Sequence, residues 1–221
     1  MLLTTLTMLN LRTCMKFGKH NDILKDKLIE ISDNHKDKEY FLDIGCGDCS
    51  KTLLFNNYGR YLHGIDCMDW RIKKAKNKVE FLKADIMDKM PPMIADIIFS
   101  FDVIEHLPNP EKLLQFAKKS LCKDGVLVVG TPNRVRMGTL GLRKFPYNPD
   151  NHDDKYAAHL REYTTKELTE LLSCNGFYVK KVHKLFYGIT GSYGFSELFG
   201  LPLYHHIILE AVHVSNKTKS I

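Results

Sequence analysis

Long apolar runs are missing from this chain. Across 221 residues, 44% of them hydrophobic, nothing approaches the roughly eighteen uninterrupted apolar residues of a membrane-spanning helix. No basic leader or small-residue cleavage site marks the mildly apolar start from Met1 to Leu9, which reads as a tail or docking strand rather than a secretory signal. Cysteine is present but unorganised. Cys14, Cys46, Cys49, Cys67, Cys122 and Cys174 are scattered and several fall in apolar or glycine-rich stretches, so no disulfide framework is expected, and a reducing, cytoplasmic location is. Cys46-x-x-Cys49 has redox or zinc spacing, but a second such pair is lacking and the motif overlaps a loop that its glycines already explain. No internal repeat is evident, and no second domain is expected. The net charge of +6 is modest, with lysines spread along helices as on a solvated surface. Arg134, Arg136, Arg143 and Lys144, flanked by Phe145 and Tyr147, form a basic arm that would suit an anionic substrate or nucleic acid, or simply keep a loop soluble.

What is present alternates. An amphipathic helix over about Asn21 to Asn34 precedes a strand at Tyr40 to Ile44, and a short helix follows from Ser50. A second strand at Tyr61 to Ile65, a helix at Trp70 to Asn77 and a third strand at Val79 to Lys83 come next. The nearly all-apolar Asp96 to Phe101 has the character of a central parallel strand. A helix from Glu111 to Leu121 follows, its start marked by Pro110, and Lys123-Asp124-Gly125 turns into a fifth strand, Val126 to Gly130. After about thirty residues without periodicity, Thr164-x-x-Glu167 reads as a capping box starting a helix to Cys174. A strand from Phe177, an insert at Tyr187 to Tyr204 and a last strand at His205 to His213 complete the pattern. Strands alternating with helices predict an α/β fold with a doubly wound, mostly parallel seven-stranded sheet. Residues 1–37 are the tail and leading helix, and 38–214 the domain. The long aperiodic stretch, about 132–163, is expected to be a lid.

The most telling segment is Phe41-Leu42-Asp43-Ile44-Gly45-Cys46-Gly47. A short apolar strand breaks into Gly-x-Gly, which lets a nucleotide-like ligand approach bare backbone. About twenty residues on, a second apolar run ends in Asp66, where an acid would grip a ribose diol. The dinucleotide fingerprint would want a third glycine where Ser50 stands, which argues against a dehydrogenase.

With Gly64-Ile65-Asp66, Ala84-Asp85, Phe101-Asp102-Val103-Ile104-Glu105-His106-Leu107 and Gly125 to Asn133 following in order, the chain resembles the class I S-adenosylmethionine-dependent methyltransferases, of the ubiquinone-pathway-like type, over about residues 38 to 214. The resemblance implies a Rossmann-like fold with its last strand antiparallel, and S-adenosylmethionine as cofactor. Gly45, Cys46 and Gly47 would carry the methionine part, with Asp43 holding its amino group through ordered contacts. Asp66 would take both ribose hydroxyls, Cys67 and Met68 would flank the adenine, and Asp85 with the backbone of Ile86 would meet its amino group. Ser100 and Phe101 would lie near the transferring methyl. His106 beside Glu105 is the candidate base, or else a helix cap or cofactor wall. His159 would face the substrate or pin the helix that follows.

Asp102, Glu105, His106 and His159 also form a donor set suited to a divalent metal. Small-RNA terminal 2′-O-methyltransferases and ubiquinone-pathway O-methyltransferases are similar here and use such a cluster. This chain departs from them, with Asp102 in place of a glutamate and only a poor match, His152, for a second lid histidine. The expectation is therefore no metal. The preferred acceptor is a hydroxyl of a small molecule, sugar or lipid-linked intermediate; nucleic acid methylation and cofactor binding without turnover are the alternatives. The aromatic insert with Phe186, Tyr187, Tyr193, Phe195 and Phe199 would wall an apolar pocket, lean peripherally on a membrane or pack internally.

Overall fold

The four residues Phe41, Leu42, Asp43 and Ile44 are buried in succession in β2 (Tyr40–Ile44), as a strand covered on both faces requires. The computed structural model describes residues 17–68, 75, 78–136, 158–186, 193–196 and 204–214. The elements before and after β2 are β1 (Phe17–Lys19), α1 (His20–Asn34), β3 (Tyr61–Asp66), β4 (Glu80–Lys83), β5 (Ala95–Phe101), α2 (Pro110–Ser120), β6 (Leu121–Pro132), α3 (Thr165–Cys174), β7 (Phe177–Phe186), β8 (Tyr193–Ser196) and β9 (His206–His213).

They form one nine-stranded sheet in the order β1-β8-β7-β9-β6-β5-β2-β3-β4. Strands β4, β3, β2, β5 and β6 are parallel neighbours, whereas β9 runs antiparallel between β6 and β7. The expected seven strands with an antiparallel last strand are therefore present. Two short strands extend them, β8 on β7 and β1 on β8. The sheet alternates its side chains between two apolar layers. Leu42, Ile98 and Leu127 pack with Leu113 and Leu114 of α2 and Leu168 and Leu172 of α3. Their neighbours Phe41, Phe99 and Val128 pack with Ile23, Leu28 and Ile31 of α1 and with Phe55.

Local signals behave as the residues dictate, with two corrections. Pro110 occupies the first turn of α2, and both halves of the Thr164–Glu167 capping box form at α3. The helix expected from Ser50 is instead two short 3₁₀ turns, Thr52–Phe55 and Asn57–Gly59, with Tyr58 left-handed at φ 73. Asn-Asn-Tyr-Gly holds poor helix formers, so the segment tightens and stops. The turn expected at Lys123 to Gly125 is absorbed into β6, with Asp124 at φ 62 and a register shift between the Ala95 and Ile97 pairings. Most of the Trp70 to Asn77 helix, most of the lid, His152, Arg143, Lys144, Phe145, Tyr147, Tyr187 and Phe199 lie outside the described residues. Among the described residues no helix is long and apolar enough to cross a membrane.

Because β2, β3, β4 and β5 are parallel, their C-terminal ends reach one edge of the sheet. Chain order reverses between β2 and β5, and a crevice opens at such a switch point.

Candidate cofactor and active site

The glycine turn hooks over the end of β3. The amides of Gly45 and Cys46 both donate to the carbonyl of Ile65, at 2.7 and 3.1 Å. Gly45 has φ 74, and a Cβ there would stand 2.2 Å from Cγ2 of Val103. Gly47, at φ 55, has open space where its Cβ would be. A left-handed, side-chain-free bend facing open space is the cradle that a cofactor pressed on backbone requires.

Asp66 closes that bend. Its Oδ2 accepts from the Gly47 amide at 2.8 Å and its Oδ1 from the Met68 amide at 2.9 Å. Oδ1 also accepts from the Cys67 thiol at 3.7 Å, and Oδ2 keeps a lone pair for a ligand hydroxyl. Next to it, Ala84 N donates to the Asp66 carbonyl at 2.9 Å, and Asp85 Oδ1 accepts from Met87 N at 2.8 Å beside the buried Ile86. Cys67 stands within 3.7 Å of Asp66 Oδ1, and its thiol is pushed up to about 11 by burial and by the charges of Asp66 and Asp85. Asp43 is buried, and its carboxylate accepts from Thr52 Oγ1 at 2.6 Å. Burial raises it to about 7, against the pull of that bond and of Lys51.

At the end of β5, Ser100 is buried and its hydroxyl has no hydrogen-bond partner. The Phe101 ring lies under the Lys51 ammonium, 4.5 Å from its centroid, and stacks on His206 at 5.4 Å. Gly130 opposite makes room for that ring, since a Cβ there would meet it at 2.1 Å. Asp102 is left-handed at φ 57 and takes Lys51 Nζ at 2.9 Å and His206 Nε2 at 3.0 Å. Burial favours the neutral acid, but attraction and hydrogen bonds from His206 and Lys51 prevail and hold its carboxyl well below the usual range. Sequence reasoning missed Lys51 and His206, which carry no motif.

The catalytic candidates do come together. His106 and His159 meet edge to face with centroids 4.6 Å apart. His106 Nδ1 faces the Ala158 carbonyl at 3.1 Å, and His159 Nδ1 faces Glu162 Oε1 at 2.8 Å. Both partners only accept, so each Nδ1 is the donor in its contact. Glu105 is fully buried. Its Oε2 accepts from Thr131 Oγ1 at 2.8 Å, while Oε1 has no hydrogen-bond partner and stands 4.0 Å from His106 Nε2. Burial, then the charge of Asp102, raises its pKa well above the ordinary value. One ligand atom from each of Glu105, His106 and His159 falls within 4.8 Å of the others. Asp102, placed with them in the sequence reading, turns to Lys51 and His206 instead.

The described part of the basic arm is engaged internally. Arg134 Nη2 pairs with Glu167 Oε1 at 2.7 Å, and Arg136 grips both oxygens of the fully buried Glu162, with Nη2 at 2.9 Å from Oε1. Burial favours a neutral Glu162, but the bonds from His159 and Arg136 prevail and hold it at about 2.

Comparison with known proteins agrees with this arrangement. Residues 17–182 match the model of a methyltransferase domain family. A probable S-adenosylmethionine-dependent methyltransferase of Mycolicibacterium smegmatis is 29% identical over 153 residues, covering 66% of this chain and 55% of that protein. A ubiquinone biosynthesis O-methyltransferase of Pelagibacter ubique is 29% identical over 128 residues, 55% of this chain and 53% of that protein. The chain thus spans about half the length of these curated relatives. Among solved structures, an S-adenosylmethionine-dependent methyltransferase from Clostridium acetobutylicum superposes with a TM-score of 0.63 at 12% identity, covering 86% of this chain and 91% of that one. The magnesium protoporphyrin IX methyltransferase of Synechocystis, solved with bound S-adenosylhomocysteine, gives 0.60 at 16% identity, over 88% and 84%. With the family model spanning most of its length and the strand-end turn built as that fold builds it, the chain belongs to the class I S-adenosylmethionine-dependent methyltransferase family.

Proposed function

We propose that this chain transfers a methyl group from S-adenosylmethionine to a hydroxyl of a small acceptor. The observation that carries the reading is the junction of the glycine bend with the next strand's acid, Gly47 N on Asp66 Oδ2 at 2.8 Å, with two oriented imidazoles borne by the segments after β5 and before α3. The cofactor supplies a sulfonium methyl that is already activated, so the protein's work is alignment, exclusion of water and handling of one proton.

Gly45 and Gly47 offer backbone to the methionine part, and Asp66 offers its remaining lone pair to the ribose. Asp85 and Ile86 border the adenine. Ser100, with its buried unpartnered hydroxyl, has bonding capacity left for the amino-acid end. Lys51, poised between Asp102 and the Phe101 face, is the cation for that end's carboxylate. His106 Nε2 takes the acceptor's proton. His159 stands against it as the second wall, and burial disfavours a negative charge on the neighbouring Glu105.

Calorimetry with S-adenosylhomocysteine and with 5′-methylthioadenosine, which lacks the amino acid, tests the cofactor part. Asp66→Ala is expected to weaken both by about 1–3 kcal/mol, the cost of leaving hydroxyls unpaired. Lys51→Met is expected to weaken only the homocysteine. Unaltered binding in Asp66→Ala would sink the assignment. The three-donor geometry also suits a divalent cation, and loss of turnover on chelation, restored by magnesium, would select that second reading over simple proton transfer.

A further inference from the structure

The glycine bend carries two thiols that cofactor binding does not require. The Cys49 amide donates to the Cys46 carbonyl at 2.9 Å. Such an i to i+3 bond defines a β-turn and brings the two Cα atoms within about 7 Å. Disulfides span Cα separations of about 4.4–6.8 Å. Both side chains are buried, Cys46 at 7% and Cys49 at 0% exposure, in the same apolar layer beside Phe55, Leu62 and Val79. Gly64 leaves room for the Cys46 sulfur, because a Cβ there would stand 2.8 Å from it. Cys49 is held left-handed at φ 60, a conformation that packing alone does not ask of a cysteine. The thiols are also each other's leading influence: their mutual hydrogen bond raises Cys46 and lowers Cys49, so Cys49 gives up its proton first.

We propose that Cys46 and Cys49 form a reversible disulfide within the turn, closing the cradle to its ligand. The bond itself follows from the turn geometry; the loss of ligand affinity rests on the cofactor reading. With a hydroperoxide as oxidant, the Cys49 thiolate attacks the outer oxygen, the O–O bond breaks, and the departing oxygen takes a proton as water or alcohol. The resulting sulfenic acid is attacked by the Cys46 sulfur. An S–S bond forms, the S–O bond breaks, and hydroxide leaves as water with the Cys46 proton. Two electrons pass from the thiols to the peroxide, and a dithiol returns them. Disulfides of this transient kind are the ones found in reducing compartments. Joining the sulfurs displaces Cys46 between Gly45 and Gly47 and misaligns the Gly47 amide on Asp66. Since both sulfurs lie beneath the turn, oxidation proceeds when the loop opens, and S-adenosylhomocysteine slows it.

The test treats the full chain with hydrogen peroxide, blocks remaining thiols with an alkylating reagent, and maps the linkages by mass spectrometry. A Cys46–Cys49 link, lighter by two hydrogens and reversed by dithiothreitol, is expected. S-adenosylhomocysteine affinity should fall by about tenfold or more on oxidation and return on reduction, whereas the affinity of Cys49→Ser should not change with peroxide. Over-oxidation to sulfinic acid, pairing with Cys67 or intact thiols would overturn the disulfide. A mapped link with undiminished affinity would overturn the closure. If the reduced chain binds no S-adenosylhomocysteine, the cofactor reading fails while the linkage map still decides the bond.

Discussion

Asparagine in place of His106 is expected to lower methyl transfer to a hydroxyl acceptor by about 10²–10⁴-fold, the usual worth of a positioned base, with S-adenosylhomocysteine affinity little altered. The ring is held by the Ala158 carbonyl on one side and by the His159 edge on the other, so its proton-accepting nitrogen has a fixed direction. Asparagine keeps a donor for Ala158 but cannot take a proton at neutral pH. Rates measured with an acceptor identified by screening phenols, alcohols and carboxylates should fall in the variant for phenols and alcohols. A carboxylate acceptor is already ionised and needs no base. Full activity of His106→Asn would therefore refute the hydroxyl assignment while sparing the cofactor site.

The parts of this site that were legible in the sequence are those written by local rules. β2 and β5 are buried on both faces and so are largely apolar; the bend at Gly45 and Gly47 needs left-handed backbone and so needs glycine; the cap of α3 is four residues of side-chain chemistry. The remainder depends on contacts between distant segments. Asp102 meets His206 across 104 positions, and Arg136 reaches Glu162 across 26. Neither pairing leaves a period or spacing, which is why Asp102 read as a partner of Glu105 and Arg136 as part of an open basic arm. Strand β8 was hidden for a related reason: Tyr193–Ser196 is too short to show alternation and exists by pairing with β1 and β7.

Arg136→Met is expected to destabilise the fold by about 3–5 kcal/mol near neutral pH, because it leaves a buried carboxylate without its main partner. The unfolding midpoint should drop by roughly 6–20 °C for a chain of this size. The pH dependence separates this cause from lost packing. In the parent, Glu162 sits at about 2 when folded against an ordinary 4.5. A depressed carboxylate stabilises the fold above its unfolded value and loses that contribution as pH falls from 4.5 towards 2. Without the guanidinium, burial is opposed by His159 alone, so the carboxyl rises from about 2. Arg136→Met should then regain stability relative to the parent as pH falls through the acid range from 4.5 towards 2, and Glu162→Gln added to it should recover part of the deficit at pH 7. A deficit unchanged across that range would mean that Arg136 acts through its alkyl chain alone. The same carboxylate orients His159 through Nδ1 at 2.8 Å. In Arg136→Met enzyme kept below its unfolding temperature, turnover should therefore fall while S-adenosylhomocysteine affinity holds, as the proposed function requires of a histidine wall that faces the acceptor.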